Sequence, residues 1–335
     1  MSQKKVKPKI VCLGAGTGQA TALKGLKRYE CDLTGVVGGT DNGGSSGVLR
    51  KELGIPQPGD TRNCLENVSD PNDLFTKIFA YRFNEGSLKG TSLGNLILAA
   101  LTRITGDFGA AVMAANSLLE TNVQIYPVSV TSTHIACELK NGKKVVGEWE
   151  IILRKDKSPI KKIYLTDDAR AFPPVIAAIE QADLIVIGPG SLFTGVLPHF
   201  LIGGMAEAIR MAAAKKVYIC NMMTQPGQTE GYSVSDHLNQ VKKYLGKNPD
   251  YVIVNNGKIS PEIIKHYKNF RSAPVKVDQA RGVKVIAENL AQNQIDEAVH
   301  LENTRLRRFR EWSEWTHLLR HDAEKLAEIL MKLVK

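Results

Sequence analysis

No stretch of this sequence approaches the ~20 consecutive apolar residues that a membrane-spanning helix needs. The apolar run Ile10 to Leu13 behind the basic N-terminus is too short for a signal-peptide core. A cytoplasmic protein with no membrane span is the expectation. Cysteine is scarce: Cys12, Cys31, Cys64, Cys137 and Cys220 include no close pair, which excludes zinc spacing and a disulfide ladder. Cys64 sits in a loop of interest, but no base is marked beside it, and buried free thiols are the default reading. Histidine is equally scattered, with no His-x-x-x-His pair to build a metal cage. Aromatic residues make up only 6% and do not interleave with the basic runs Lys4, Lys5, Lys7, Lys9 and Arg305, Arg307, Arg308, Arg310. Single-strand binders need such interleaving, so nucleic acid is not an expected partner. Repeats, low-complexity tracts and an obvious linker are also missing, which points to one domain over residues 1–335.

What is present is an ordinary globular balance, with 43% hydrophobic and 23% charged residues. The 44 Lys and Arg against 34 Asp and Glu give a net charge of +10, which suits an anionic partner as well as plain solubility. Lys9 to Leu13 reads as a short buried strand stopped by glycine; Gln19 to Arg28 carries helical spacing, and Leu33 to Val37 reads as a second strand. Residues 47–120 read as mostly helical. Val123 to Val130, Ile135 to Leu139 and Val145 to Leu153 then read as strands, with Asn141-Gly142 as a hairpin turn. The α/β rhythm resumes with strands at Asp183 to Ile187, Lys216 to Cys220 and Tyr251 to Asn255. A helix is expected from about Pro198 to Ala213, and an amphipathic helix over Asp322 to Val334 closes the chain. The fold expected is α/β: a Rossmann-like, doubly wound, mostly parallel sheet with an antiparallel β insertion at about 123–166.

Glycine-rich loops follow the strand-like segments. Gly14-Ala15-Gly16-Thr17-Gly18 lies between a strand and a helix, where bare N–H groups and the helix end favour an oxyanion. The dinucleotide pattern Gly-x-Gly-x-x-Gly would need a third glycine where Gln19 stands, which weighs against an NAD-dependent oxidoreductase. Thr40-Asp41-Asn42-Gly43-Gly44-Ser45-Ser46-Gly47 offers a nest of donors, hydroxyls and one carboxylate; Asp41 suits a sugar hydroxyl, a base edge or a phosphate-bound Mg²⁺. In Pro58-Gly59-Asp60-Thr61-Arg62-Asn63, Arg62 has the shape for a bidentate phosphate contact, while Asp60 or Thr61 could equally cap a helix. Gly188-Pro189-Gly190-Ser191-Leu192-Phe193-Thr194-Gly195 again lies between strand and helix, with Ser191 and Thr194 as added donors. Ligands of open α/β sheets bind beyond the carboxyl ends of the strands, so distant loops of this kind can converge on one ligand. Lesser candidates are Asn95, Asn221, Thr224 and the segment Arg320-His321-Asp322, in which Asp322 equally reads as a helix N-cap, while Tyr232 and Tyr267 read as packing residues.

Together the segments TDNGGSSGVLRKELG (40–54), PGDTRNCL (58–65), LKGTSLGNLILAAL (88–101), ADLIVIGPGSLFTGVLPHFL (182–201), CNMMTQPGQTEGYSVSDH (220–237) and RHDAEKLA (320–327) resemble the YvcK/CofD-like family. The resemblance runs from about residue 9 to 334. One branch of that family is 2-phospho-L-lactate transferase, which uses Mg²⁺ and a guanosine diphosphate donor. The other is the gluconeogenesis-factor branch, linked to cell shape and growth on gluconeogenic carbon and associated with UDP-sugar binding. This sequence looks like the second branch, since its second loop reads Gly-Gly-Thr-Asp-Asn (38–42) where transferases carry Asn-Thr-Gly-Asp-Asp. Many members of that branch have a second Asp where Asn42 stands and His where Thr91 stands. Losing one carboxylate leaves Asp41 as the single metal contact the resemblance implies. The resemblance thus implies a regulatory nucleotide-sugar binder, with a homodimer and a protein partner as further expectations. Its alternative is a Mg²⁺-dependent transferase acting on a nucleoside-diphosphate donor.

Overall fold

The computed structural model describes residues 6–292 and 319–334, together with the backbone but not the side chains of residues 44–46. Lys4, Lys5 and the arginines at 305, 307, 308 and 310 lie outside the described residues. The strands are β1 (Lys9–Gly14), β2 (Asp32–Val37), β3 (Gln124–Pro127), β4 (Ile135–Leu139), β5 (Lys144–Val146), β6 (Ile160–Leu165), β7 (Leu184–Ile187), β8 (Lys215–Ile219), β9 (Tyr251–Asn255), β10 (Lys284–Glu288), β11 (Ala291–Gln292) and β12 (Arg320–His321). Seven of them form a sheet in the order β10-β9-β8-β7-β1-β2-β3, and every pairing in it is parallel. The chain builds β1, β2 and β3 in one direction, then returns to lay β7 on the other side of β1. That reversal opens a crevice between the loops that leave β1 and β7.

The central strands are apolar on both faces because both are covered, as parallel sheets require. Ile10 and Cys12 point into one core with Leu23, Leu26, Leu65, Leu98, Leu326 and Leu330, from the helices Gly16–Leu26, Gly59–Val68, Leu93–Thr105 and Ala323–Leu333. Val11 and Leu13 point into the other, with Val175, Ile209, Val241 and the apolar residues of β4 and β6. Each buried Leu or Ile contributes about 1.5–3 kcal/mol. The local signals agree with these helices. Val234–Leu245 buries Val234, His237, Leu238, Val241 and Leu245 along one stripe, and a reciprocal capping box of Ser233 and Asp236 starts it. Asp322 caps the last helix by accepting the N–H groups of Glu324 and Lys325 at 3.0 and 3.1 Å, the role its position suggests.

The structure corrects three boundaries. Gln124–Pro127 lies in the main sheet, paired parallel to β2, so the antiparallel sheet starts at Ile135 and runs β5-β4-β6. Ile125 is fully buried beside Leu23 and Cys12, which ties this strand to the central core. The strand expected over Val145 to Leu153 ends at Val146; Gly147, with φ 101°, turns the chain, and Glu148–Leu153 is helical. Glu148 and Glu150 in its first turn complement the positive helix end. The helix expected from Pro198 breaks at Gly203 and Gly204 into Pro198–Leu201 and Met205–Met211.

Candidate functional site

The crevice between β1 and β7 holds a cavity of about 310 Å³. Its floor is the start of the helix Gly16–Leu26, whose first N–H groups have no intrahelical partner. Ala15 at the N-cap supplies no side-chain acceptor for them. The loop after β7 meets this helix directly. A Cβ on Gly18 would lie 2.5 Å from the Pro189 carbonyl oxygen, so only glycine allows the two backbones to approach this closely. Behind the floor, Gln19 is fully buried and does what a third glycine cannot: its Nε2 donates to the carbonyls of Cys12 at 3.0 Å and Val36 at 2.8 Å, stapling β1 to β2.

One wall is acidic. Asp41, Asp60 and Glu148 all line the cavity, and Trp149 stands beside them. Oδ1 of Asp41 accepts the Gly43 N–H at 2.9 Å and the Trp149 indole N–H at 2.9 Å. Burial raises the Asp41 carboxyl above its ordinary value, while those donors and the Arg50 guanidinium hold it partly down. Burial and then the neighbouring Asp41 charge push Asp60 up to about 7, against the lowering effect of the Arg62 charge. Burial, then the charges of Asp41 and Asp60, raise Glu148 well above the ordinary carboxylate range; beside it the Thr40 hydroxyl donates to the Thr194 carbonyl at 3.5 Å and the Thr194 hydroxyl to Ser191 Oγ at 2.9 Å. Gly43 is obligatory here, since an added Cβ would fall 1.2 Å from Trp149 Nε1.

The far wall is apolar and comes from the loop after β8 and from the β11–β12 pair. Met222, Met223, Tyr267 and Leu319 form it, with Arg320 and His321 at its edge. Asn221 is fixed by donation from Nδ2 to the Gly190 carbonyl at 2.8 Å. His321 is 8% exposed, and burial lowers it to about 4, so it is neutral at pH 7. Its Nε2 is buried without a hydrogen-bond partner.

Of the residues singled out in the sequence, Gly16, Thr17, Gly18, Asp41, Asp60, Pro189, Gly190, Ser191, Asn221, Thr224 and Arg320 line this one cavity. Others sit beside it or away from it. Gly14 packs on Gln19, and Thr40 and Thr194 stand behind Glu148. Gly188 turns the chain at the end of β7 with φ 84°. Asn42 faces the helix Glu148–Leu153, accepting the Trp149 N–H at 3.0 Å. Gly44 opens the helix Gly44–Leu53; the side chains of Ser45 and Ser46 lie outside the described residues. Arg62 forms an ion pair with Glu66 in its own helix rather than facing the cavity, and Asn63 accepts from Asn67 at 2.8 Å. Asn95 is buried in the helix Leu93–Thr105. Cys64 is also buried, donating to Gln19 at 3.6 Å, and burial drives its thiol far above the usual range, which removes it as a nucleophile. His321, in the candidate segment with Arg320, lines the cavity too; Glu148 and Trp149 have no signal in the sequence, and Tyr267, read as packing, lines the cavity as well.

The parallel order and the crevice at its reversal define a doubly wound α/β protein with its cleft at the switch point. The sequence family described as 2-phospho-L-lactate transferase CofD matches residues 10–291, and the chain belongs to that family. A Thermotoga maritima relative is 41% identical over 326 residues, 97% of this chain and 99% of that one. The gluconeogenesis factor of Bacillus subtilis is 40% identical over 336 residues, covering 98% of this chain and 99% of the relative. The crystal structure of a Bacillus halodurans protein superposes with a TM-score of 0.87 at 39% identity, covering 97% of this chain and all of the other; a second structure of it is described as a member of the UPF0052 family. Among the described residues, no helix is long and apolar enough to cross a membrane.

Proposed function

We propose that the cavity binds a nucleotide-sugar, a UDP-sugar in the first instance, and that the chain acts as a regulator that reads this ligand without turning it over. One observation carries the reading: the amide-rich loops after β1 and β7 meet in one cavity, with Gly18 against Pro189. Main-chain N–H groups and a helix end make a cradle for a diphosphate, and they need no counter-charge from a side chain. The relatives named gluconeogenesis factor support a regulatory role in carbon use, and cell shape is a further expectation of the same branch. Calorimetric titration with UDP-glucose, UDP-N-acetylglucosamine and GDP tests the proposal. Saturable heat from a UDP-sugar supports it, and no heat from any of the three overturns it.

A second reading is a Mg²⁺-dependent transferase, favoured by the carboxyl groups of Asp41, Asp60 and Glu148 on one wall. Among the described residues no three acidic, His or Cys side chains already form a metal cluster. The residues fit an ion that arrives with the diphosphate, held by Asp41 or a neighbour and otherwise by phosphate oxygens and water, which is the usual Mg²⁺ habit. Such an ion would neutralise phosphate charge. Mg²⁺-dependent release of a nucleoside monophosphate from a donor would favour this reading over the first.

A further inference from the structure

The cavity is chemically divided, and the division gives the ligand a direction. The backbones of Thr17, Gly18 and Gly190 line it where the loops after β1 and β7 meet. The acidic wall repels a diphosphate, so the phosphates belong at the amides and the two remaining parts of a nucleotide-sugar lie to either side. The apolar wall of Met222, Met223, Tyr267 and Leu319 matches a flat base, which packs well on thioethers and rings. At the edge of that wall His321 carries an unmet ring nitrogen: its Nε2 is buried and has no hydrogen-bond partner. A neutral imidazole nitrogen donates or accepts according to its tautomer. A ribose hydroxyl, which can do either, is the partner such a nitrogen lacks.

The opposite wall suits a pyranose. Carboxylates accept from neighbouring hydroxyls, and an indole offers a flat face for the C–H side of a sugar ring. Trp149 is held in place from two sides, by its backbone N–H on Asn42 at 3.0 Å and by its indole N–H on Asp41 at 2.9 Å. Glu148, one residue earlier, lies beside Thr40 and Thr194. Both come from the short helix Glu148–Leu153 of the antiparallel insertion, and the glycine loops contribute neither.

We infer that the ligand lies with its nucleoside at His321 and the methionine wall and its sugar at Glu148 and Trp149, so that the insertion selects the sugar. This rests on the nucleotide-sugar reading. The test is a crossed titration of UDP and UDP-glucose against the intact protein, Glu148→Gln and His321→Phe, each checked for an unchanged melting transition. Glu148→Gln weakens UDP-glucose about fivefold, the worth of one ordinary hydrogen bond, and shifts UDP by less than about twofold. His321→Phe weakens both ligands alike, by about fivefold. Trp149→Phe, which keeps a ring in the same place, provides a second sugar-side probe with the pattern of Glu148→Gln. Equal losses for UDP and UDP-glucose in Glu148→Gln and Trp149→Phe, or a loss confined to UDP-glucose in His321→Phe, overturn the direction while leaving nucleotide binding intact. Failure of the intact protein to bind either ligand overturns the nucleotide reading itself.

Discussion

Asn42 and Glu150 are joined by a hydrogen bond of 2.8 Å from the Asn42 amide to Oε2 of the carboxylate. The same Asn42 side chain accepts the Trp149 N–H, so one residue of the second glycine loop holds the start of the insertion helix. An aspartate at position 42 would place a second negative charge against Glu150. The asparagine is thus matched to its neighbour, and the departure from the family pattern has a local cause.

The Asn42–Glu150 contact makes a double-mutant cycle informative. Asn42→Asp should cost about 1 kcal/mol through the lost hydrogen bond and like-charge repulsion at a partly exposed site. Glu150→Gln in the same chain should restore most of that loss by supplying a donor to the new carboxylate. Urea unfolding of the four proteins measures the coupling, and additive effects would contradict the pairing.

Gly18→Ala should separate the two loops that face the ligand. The new Cβ meets a backbone oxygen at 2.5 Å, so the main chain itself must move. We expect a loss of about 1–3 kcal/mol with a lowered melting temperature, together with weaker nucleotide binding. A melting curve identical to that of the parent protein would contradict the contact.

The staple made by Gln19 predicts a contrast between two substitutions. Gln19→Leu removes the donor to Cys12 and Val36 and should cost about 1–3 kcal/mol. Gln19→Glu sets carboxylate oxygens against two carbonyl oxygens and should cost more. Shifted urea midpoints with an unchanged m-value are the expected readout.

Asp60 ties stability to pH. Its carboxyl titrates near 7 in the fold and near its ordinary value of 3.8 when unfolded. Between those values the folded state holds the extra proton, so its contribution is full below about 4 and is lost as pH rises towards 7. Melting temperature should therefore decline across that interval, and Asp60→Asn should flatten the decline. Equal slopes in the two proteins would reject the assignment.

The central strands were legible because burial on both faces leaves unbroken apolar runs, as in Leu184–Ile187, which Gly188 ends. The glycine loops were legible for the same reason: small residues in succession cannot build a core. Glu148–Leu153 was not, since Glu148, Trp149, Glu150 and Ile151 alternate in polarity as a strand would, and only the turn at Gly147 starts a helix. Glu148 could not be read as a site residue because its place depends on tertiary closure through the insertion; His321 was only a lesser candidate beside Arg320, since its place depends on the pairing of β12 with β11. Arg62 shows the opposite failure, a side chain suited to phosphate that finds Glu66 one helical turn away.

The last strand and helix have a consequence for when binding competence arises. Residues 319–321 form part of the cavity wall, and the helix Ala323–Leu333 packs on the helix Gly16–Leu26, where the Ala323 carbonyl sits against Gly25. Vectorial synthesis delivers the turn after β1 first and residues 319–321 some three hundred residues later. On the nucleotide-sugar reading proposed above, a nascent chain gains nothing from the ligand until its C-terminal helix has docked, so binding would report completed folding rather than template it.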